Sequence, residues 1–215
     1  MFTNAFFSTS NVGGPAPLGG LPAVAHLHPD AIAARPGERV RLRLTVAADC
    51  SDATLHGSVR LRLPAGWGAG QLERSVTLPS RASIERNVEV VVPSGAPPGD
   101  YPVRVEFQLT GDVPPAWTQV VEDVCVVSVG GAPGPLLRLL EGPAEVFVAR
   151  GGSAALTATI GSEACGDLNL EAHLISPWGT WDWIGPASAG AVLPARSSVD
   201  VTFDVAPPSW AEPGQ

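Results

Sequence analysis

The chain has no lysine: all 13 of its basic residues are arginine, set against 21 acidic residues for a net charge of -8. Arginine codons are GC-rich and lysine codons AT-rich, so the bias points to a GC-rich coding sequence, such as an actinobacterial one. No basic stripe exists to displace the counterions of a nucleic acid, which argues against that class of partner. There is one tyrosine, one methionine and three cysteines, Cys50, Cys125 and Cys165. Their spacing fits no zinc motif, and an odd count leaves at least one thiol free. No apolar run reaches the 18 or so residues a membrane helix needs, so no span is expected. The start, Met1-Phe2-Thr3-Asn4-Ala5-Phe6-Phe7, lacks the basic n-region and long apolar core of a secretion signal, and localisation stays unassigned. Phosphate loops in strand-turn-helix context, His-Glu-x-x-His and nucleophile elbows are missing too. No cofactor and no catalytic residue is assigned.

What the chain does contain is a repeat. Arg35-Pro36-Gly37, Asp49-Cys50-Ser51-Asp52, Leu63-Pro64-Ala65-Gly66-Trp67, Leu78-Pro79, Val92-Pro93 and Pro98-Gly99-Asp100 follow one another between alternating runs. The order recurs about 115 residues later, as Arg150-Gly151-Gly152, Cys165-Gly166-Asp167, Pro177-Trp178-Gly179-Thr180-Trp181, Leu193-Pro194, Ala206-Pro207 and Pro213-Gly214-Gln215. Within each copy the apolar residues keep a period of two, as in Val40, Leu42, Leu44 and Val46 against Arg39, Arg41 and Arg43. That is the signature of half-buried strands. About seven such runs, with turn residues between them, predict an immunoglobulin-like sandwich. The expected fold is all-β: two tandem immunoglobulin-like β-sandwiches, the second lacking its last two strands. Residues 1–22 read as a linker or arm, 23–129 as the first sandwich, 130–135 as a proline-rich linker and 136–215 as the second, truncated sandwich.

The truncation has three explanations: the chain is a piece of a longer protein, the missing strands come from another chain or the Phe-rich arm, or the second sandwich is a smaller variant. Missing strands would leave apolar faces and unpaired backbone exposed. The charge also divides unevenly: residues 22–133 carry 12 acidic and 10 basic residues, and residues 134–215 carry 9 and 3.

Candidate site residues follow from comparing the copies. Trp67 and Trp181 are equivalent and are read as structural. Tyr101, at the entry to a strand after Pro98-Gly99-Asp100, is read as a tyrosine corner that bonds back across the end of the sandwich. Trp178 and Trp183 have no counterparts in the first copy. With Asp182 they form a candidate ligand-binding cluster, because flat indoles stack on sugar rings and a carboxylate accepts sugar hydroxyls. Packing on another domain is the competing reading for the same tryptophans. His26 and His28 share one strand face, a spacing that can hold a metal. Neither a third ligand nor an orienting carboxylate is evident, and no metal site is assigned. Asp49 and Asp52, and Glu163 and Asp167, sit in turns where such side chains bond their own backbone. Cys50 and Cys125 could bridge the sandwich or remain buried thiols.

These motifs carry a resemblance. Leu63-Pro64-Ala65-Gly66-Trp67, Val90-Val91-Val92-Pro93 and Ala96-Pro97-Pro98-Gly99-Asp100-Tyr101 resemble the NPCBM-associated domain of bacterial α-galactosidases. The second copy, through Ile175-Ser176-Pro177-Trp178-Gly179-Thr180-Trp181 and Phe203-Asp204-Val205-Ala206-Pro207-Pro208, is similar to C-terminal regions of actinobacterial α-mannosidase-like glycoside hydrolases. The resemblance covers residues 30–129 and, more loosely, 144–215. It implies small accessory sandwiches attached to carbohydrate-active enzymes, whose hydrolytic site lies on another domain. The implied partners are that catalytic domain or another protein domain, with a glycan as a further candidate. The alternative is a cell-surface adhesion module that binds protein through its sheet edges. A third reading, hydrolysis by this chain alone, needs two carboxylates across one cleft.

Overall fold

The computed structural model describes residues 23–48, 53–69, 73–110, 120–142, 145–175 and 183–212. It is all-β, with no α-helix among these residues and no helix long and apolar enough to cross a membrane. The first group of strands is β1 (Ala23–His28), β2 (Ala31–Ala34), β3 (Arg39–Ala48), β4 (Leu55–Arg62), β5 (Gly68–Ala69), β6 (Glu73–Leu78), β7 (Ser83–Val91), β8 (Gly99–Thr110) and β9 (Val120–Val129). One sheet runs β1-β3-β7-β5 and the other β2-β9-β8-β4-β6. The second group is β10 (Leu137–Glu141), β11 (Ala154–Ser162), β12 (Leu168–His173), β13 (Ile184–Gly185), β14 (Ser188–Leu193) and β15 (Ser198–Val205). Its sheets run β10-β11-β15-β13 and β12-β14.

The repeat read from turns is therefore a repeat of topology. Sheet β10-β11-β15-β13 copies β1-β3-β7-β5 strand for strand, and β12-β14 copies β4-β6. Turn geometry repeats as well. Arg81 and Arg196 both adopt positive φ, 55° and 50°, in the tight Pro79–Ala82 and Pro194–Ser197 corners. Ala96 N donates to Pro93 O and Ala211 N to Pro208 O, each at 3.0 Å. Among the described residues the second copy has no counterparts of β2, β8 and β9.

The segment Ala23–Ala34 divides between the sheets: it pairs antiparallel with β3 through β1 and parallel with β9 through β2. Pro29 explains the break: it has no N–H to give to a ladder, so the chain leaves one sheet there and joins the other.

Alternation sets the cores. Val40, Leu42 and Val46 face inward from β3 while Arg39, Arg41 and Arg43 are exposed. Phe107, fully buried on β8, lies over Gly57, where an added Cβ would sit 2.5 Å from the ring. Only glycine admits that approach. Cys125 is a free thiol in the same core, and burial pushes its pKa up to about 12; Cys50 lies outside the described residues.

The second core is smaller: Leu136, Ala164, Leu168, Leu170, Leu193, Val201 and Phe203. It is completed from outside. Val124 and Val126, on the face of β9 turned away from the first core, pack against it. Beside them Asn169 Nδ2 donates to both Glu122 carboxylate oxygens at 2.9 Å. Cys165 N donates to Asp100 O at 2.7 Å, and the Asp100 carboxylate accepts from Ser128 Oγ. The face expected to stand bare is thus partly covered by the first sandwich, by side-chain packing rather than strand addition. Among the described residues no strand pairs with the outer edge of β10, where Leu139 is 69% and Leu140 59% exposed.

Candidate functional site

Each copy carries an aromatic pair, and the two pairs have opposite characters. In the first, Gly66 takes φ 79° and lets the Leu-Pro-Ala-Gly-Trp turn close, with Trp67 N donating to Pro64 O at 3.1 Å. That turn buries Trp67 against Tyr101, ring centroids 5.0 Å apart. The Tyr101 hydroxyl donates to Pro97 O at 2.9 Å, and burial raises its pKa. Both rings are spent on the sandwich interior.

In the second copy the aromatics face outward. Trp183 is half-buried beside β15, where its carbonyl accepts from Ala206 N at 2.7 Å. Trp210 meets it edge-on, centroids 6.1 Å apart and planes at 76°, a favourable T-shaped pair. Trp210 is 72% exposed and Phe147 88% exposed. Trp183, Phe147, Leu156, Val205 and Pro207 line a groove of about 940 Å³ that Glu145, Arg150 and Glu212 edge with charge. Its volume is in the range that holds small ligands.

Of the sequence candidates, Trp183 is placed on this groove. Trp178, Trp181 and Asp182 lie outside the described residues. Trp210 and Phe147 were not singled out from the sequence, yet the repeat carried a signal for the former. Pro208-Ser209-Trp210-Ala211 aligns with Pro93-Ser94-Gly95-Ala96, and Trp183 aligns with Gly68. Where the first copy has two glycines, the second has two tryptophans on the same turns.

Glu145 and Glu212 put two carboxylates on one groove, but both are exposed. The histidines form a separate cluster on the first copy: His26, His28 and Asp30 bring their ligand-type atoms within 4.8 Å of one another. The third group that the sequence did not reveal comes from the turn after β1. His173 is exposed and lies 3.1 Å from Glu171.

The comparisons with known proteins bear on the first copy. A family model described as "NPCBM-associated, NEW3 domain of alpha-galactosidase" matches residues 34–110. That region is NPCBM-associated-domain-like, and runs from the end of β2 to the end of β8. No curated protein matches the chain. Among solved structures, a protein of unknown function from Porphyromonas gingivalis W83 aligns at 14% identity and TM-score 0.34, covering 86% of this chain and 83% of its own. The class 5 fimbriae chaperone CfaA aligns at 10% identity and TM-score 0.32, covering 81% and 84%.

Proposed function

We propose that the chain is a non-catalytic accessory unit of a larger carbohydrate-active protein. In it the first sandwich is a platform and the second presents a glycan-stacking groove. The match of residues 34–110 to a domain associated with alpha-galactosidase supports the accessory role. The observation that carries the binding role is the groove lined by Trp183 and Phe147, with Trp210 edge-on to Trp183 beside it. An exposed indole offers a flat apolar face to a sugar ring, and Glu145 and Arg150 can exchange hydrogen bonds with its hydroxyls. The kinship of the second copy with α-mannosidase-like C-terminal regions rests on its turn motifs, and belongs to the same proposal. A glycan array probed with the whole chain tests the reading. Binding should be found, and should fall to background in Trp210→Ala; an array with no signal above that of Trp210→Ala would remove it.

A second reading draws on edge strand β10. An open edge bearing exposed Leu139 and Leu140 is a template for pairing with another strand. It predicts concentration-dependent association that Leu139→Lys abolishes, measured by light scattering on a sizing column.

A further inference from the structure

We propose that His26, His28 and Asp30 form a binding site for a divalent transition-metal ion of the zinc type. The site has a local cause. Strand β1 alternates buried and exposed residues, so His26 and His28 project together from its outer face while Ala25 and Leu27 enter the core. The chain then turns at Pro29, and Asp30 is pinned there because its carbonyl accepts from Val126 N at 2.8 Å. This brings the carboxylate back under the imidazoles: His26 Nε2 lies 3.9 Å from Asp30 Oδ1. Atoms sharing one zinc ion at about 2.0–2.2 Å sit roughly 3–4 Å apart, and no pair in the cluster is wider than 4.8 Å. Rotation of the exposed His28 and Asp30 side chains closes the remainder.

A second, independent feature marks the cluster. His26 Nδ1 lies 2.8 Å from Asp123 Oδ2, and the same oxygen accepts from Leu27 N at 2.7 Å. The carboxylate is therefore held by backbone and accepts a hydrogen bond from His26 Nδ1–H, leaving the lone pair on Nε2, the nitrogen facing Asp30. A carboxylate orienting a ligating imidazole is the usual support of a metal site. Two imidazoles and a carboxylate suit zinc, nickel and copper better than calcium or magnesium. The charge balance also favours a cation: Asp30 and Asp123 outweigh Arg43, which pairs with His28 across the ladder. The second copy has Glu141 and Pro143 at the aligned positions, so the site belongs to the first copy alone. Three protein ligands leave a position for water or for a ligand from a partner. An ion there joins β1, in one sheet, to the turn anchored on β9, in the other.

Zinc chloride titrated calorimetrically into the whole chain should show one site, and unfolding temperature should rise with zinc concentration, as for any ligand that binds the folded state. Copper should bind more tightly than zinc, following the general affinity order. His28→Ala and Asp30→Asn, both on exposed positions, should each remove the site and the thermal shift. Asp123→Asn should weaken it by about 10–100-fold through loss of the orienting charge. His56→Ala and His173→Ala should leave it unchanged. Circular dichroism establishes that each variant is folded. Absence of zinc binding by the wild-type chain, or binding undiminished in both folded His28→Ala and Asp30→Asn, would overturn the proposal.

Discussion

The first sandwich keeps its aromatics inside and the second turns them out. Trp67 and Tyr101 stack within a core of 24 buried apolar side chains. The described second copy has seven, and carries Trp183, Trp210 and Phe147 at or near its surface. The difference is one of packing. The first copy has two full sheets, β1-β3-β7-β5 and β2-β9-β8-β4-β6. The second has fewer described strands, takes Val124 and Val126 of its neighbour against its core, and sets Trp183 and Phe147 on a groove.

Core truncation should expose this dependence most strongly. Phe107→Ala should cost about 3–5 kcal/mol, and Phe203→Ala a similar amount locally. Because the second copy leans on the first, Phe107→Ala should lower hydrogen-exchange protection in both sandwiches and Phe203→Ala only in the second. Equal, independent losses in each would show two self-sufficient domains. Next comes the junction. Val126→Asp places a charge against the second core and should destabilise that copy by about 3 kcal/mol, while the first melts almost as before in calorimetry.

A smaller effect concerns Glu122. Burial raises its pKa, against the Asn169 hydrogen bonds that lower it. Its folded pKa thus lies above the unfolded one, so its proton-linked stability is present below the unfolded value and is lost as pH rises through the folded value. Glu122→Gln should therefore stabilise the chain at neutral pH by on the order of 1 kcal/mol and flatten the stability profile above about pH 4.3, the usual glutamate value. Denaturant melts across pH 4 to 8 would check both. Least affected should be the exposed Arg60–Glu73 pair on β4 and β6, at 2.8 Å. Arg60 holds the Glu73 carboxyl below its usual pKa, yet exposed pairs contribute little, and Glu73→Gln should not measurably shift the melt.

Much of the architecture was legible because it is written in turns and alternation. The order of Leu-Pro, Pro-Gly and Gly-Trp turns aligned the copies, and the same offset carries the strand order and even the positive φ of Arg81 and Arg196. What escaped was through-space. Nothing local tells that the outer face of β9 serves as the second copy's wall: alternation alone places Val124 and Val126 on a strand face without saying what covers it. Asp123 approaches His26 across 97 residues, a proximity no spacing rule anticipates. Trp210 was missed for a different reason. Its counterpart is Gly95, so the alignment showed a substitution at a turn, where a glycine is usually read for its backbone and an exposed aromatic for nothing.

The claim that the second copy is the binding copy is tested most directly by returning it to the first copy's pattern. The best glycan from an array would be titrated calorimetrically against the whole chain and against a Trp183→Gly/Trp210→Gly variant, with the fold of each checked by circular dichroism. Aromatic stacking worth about 1–2 kcal/mol per ring predicts that the variant, still folded, loses affinity at least tenfold. Unchanged affinity in the folded variant would contradict the account.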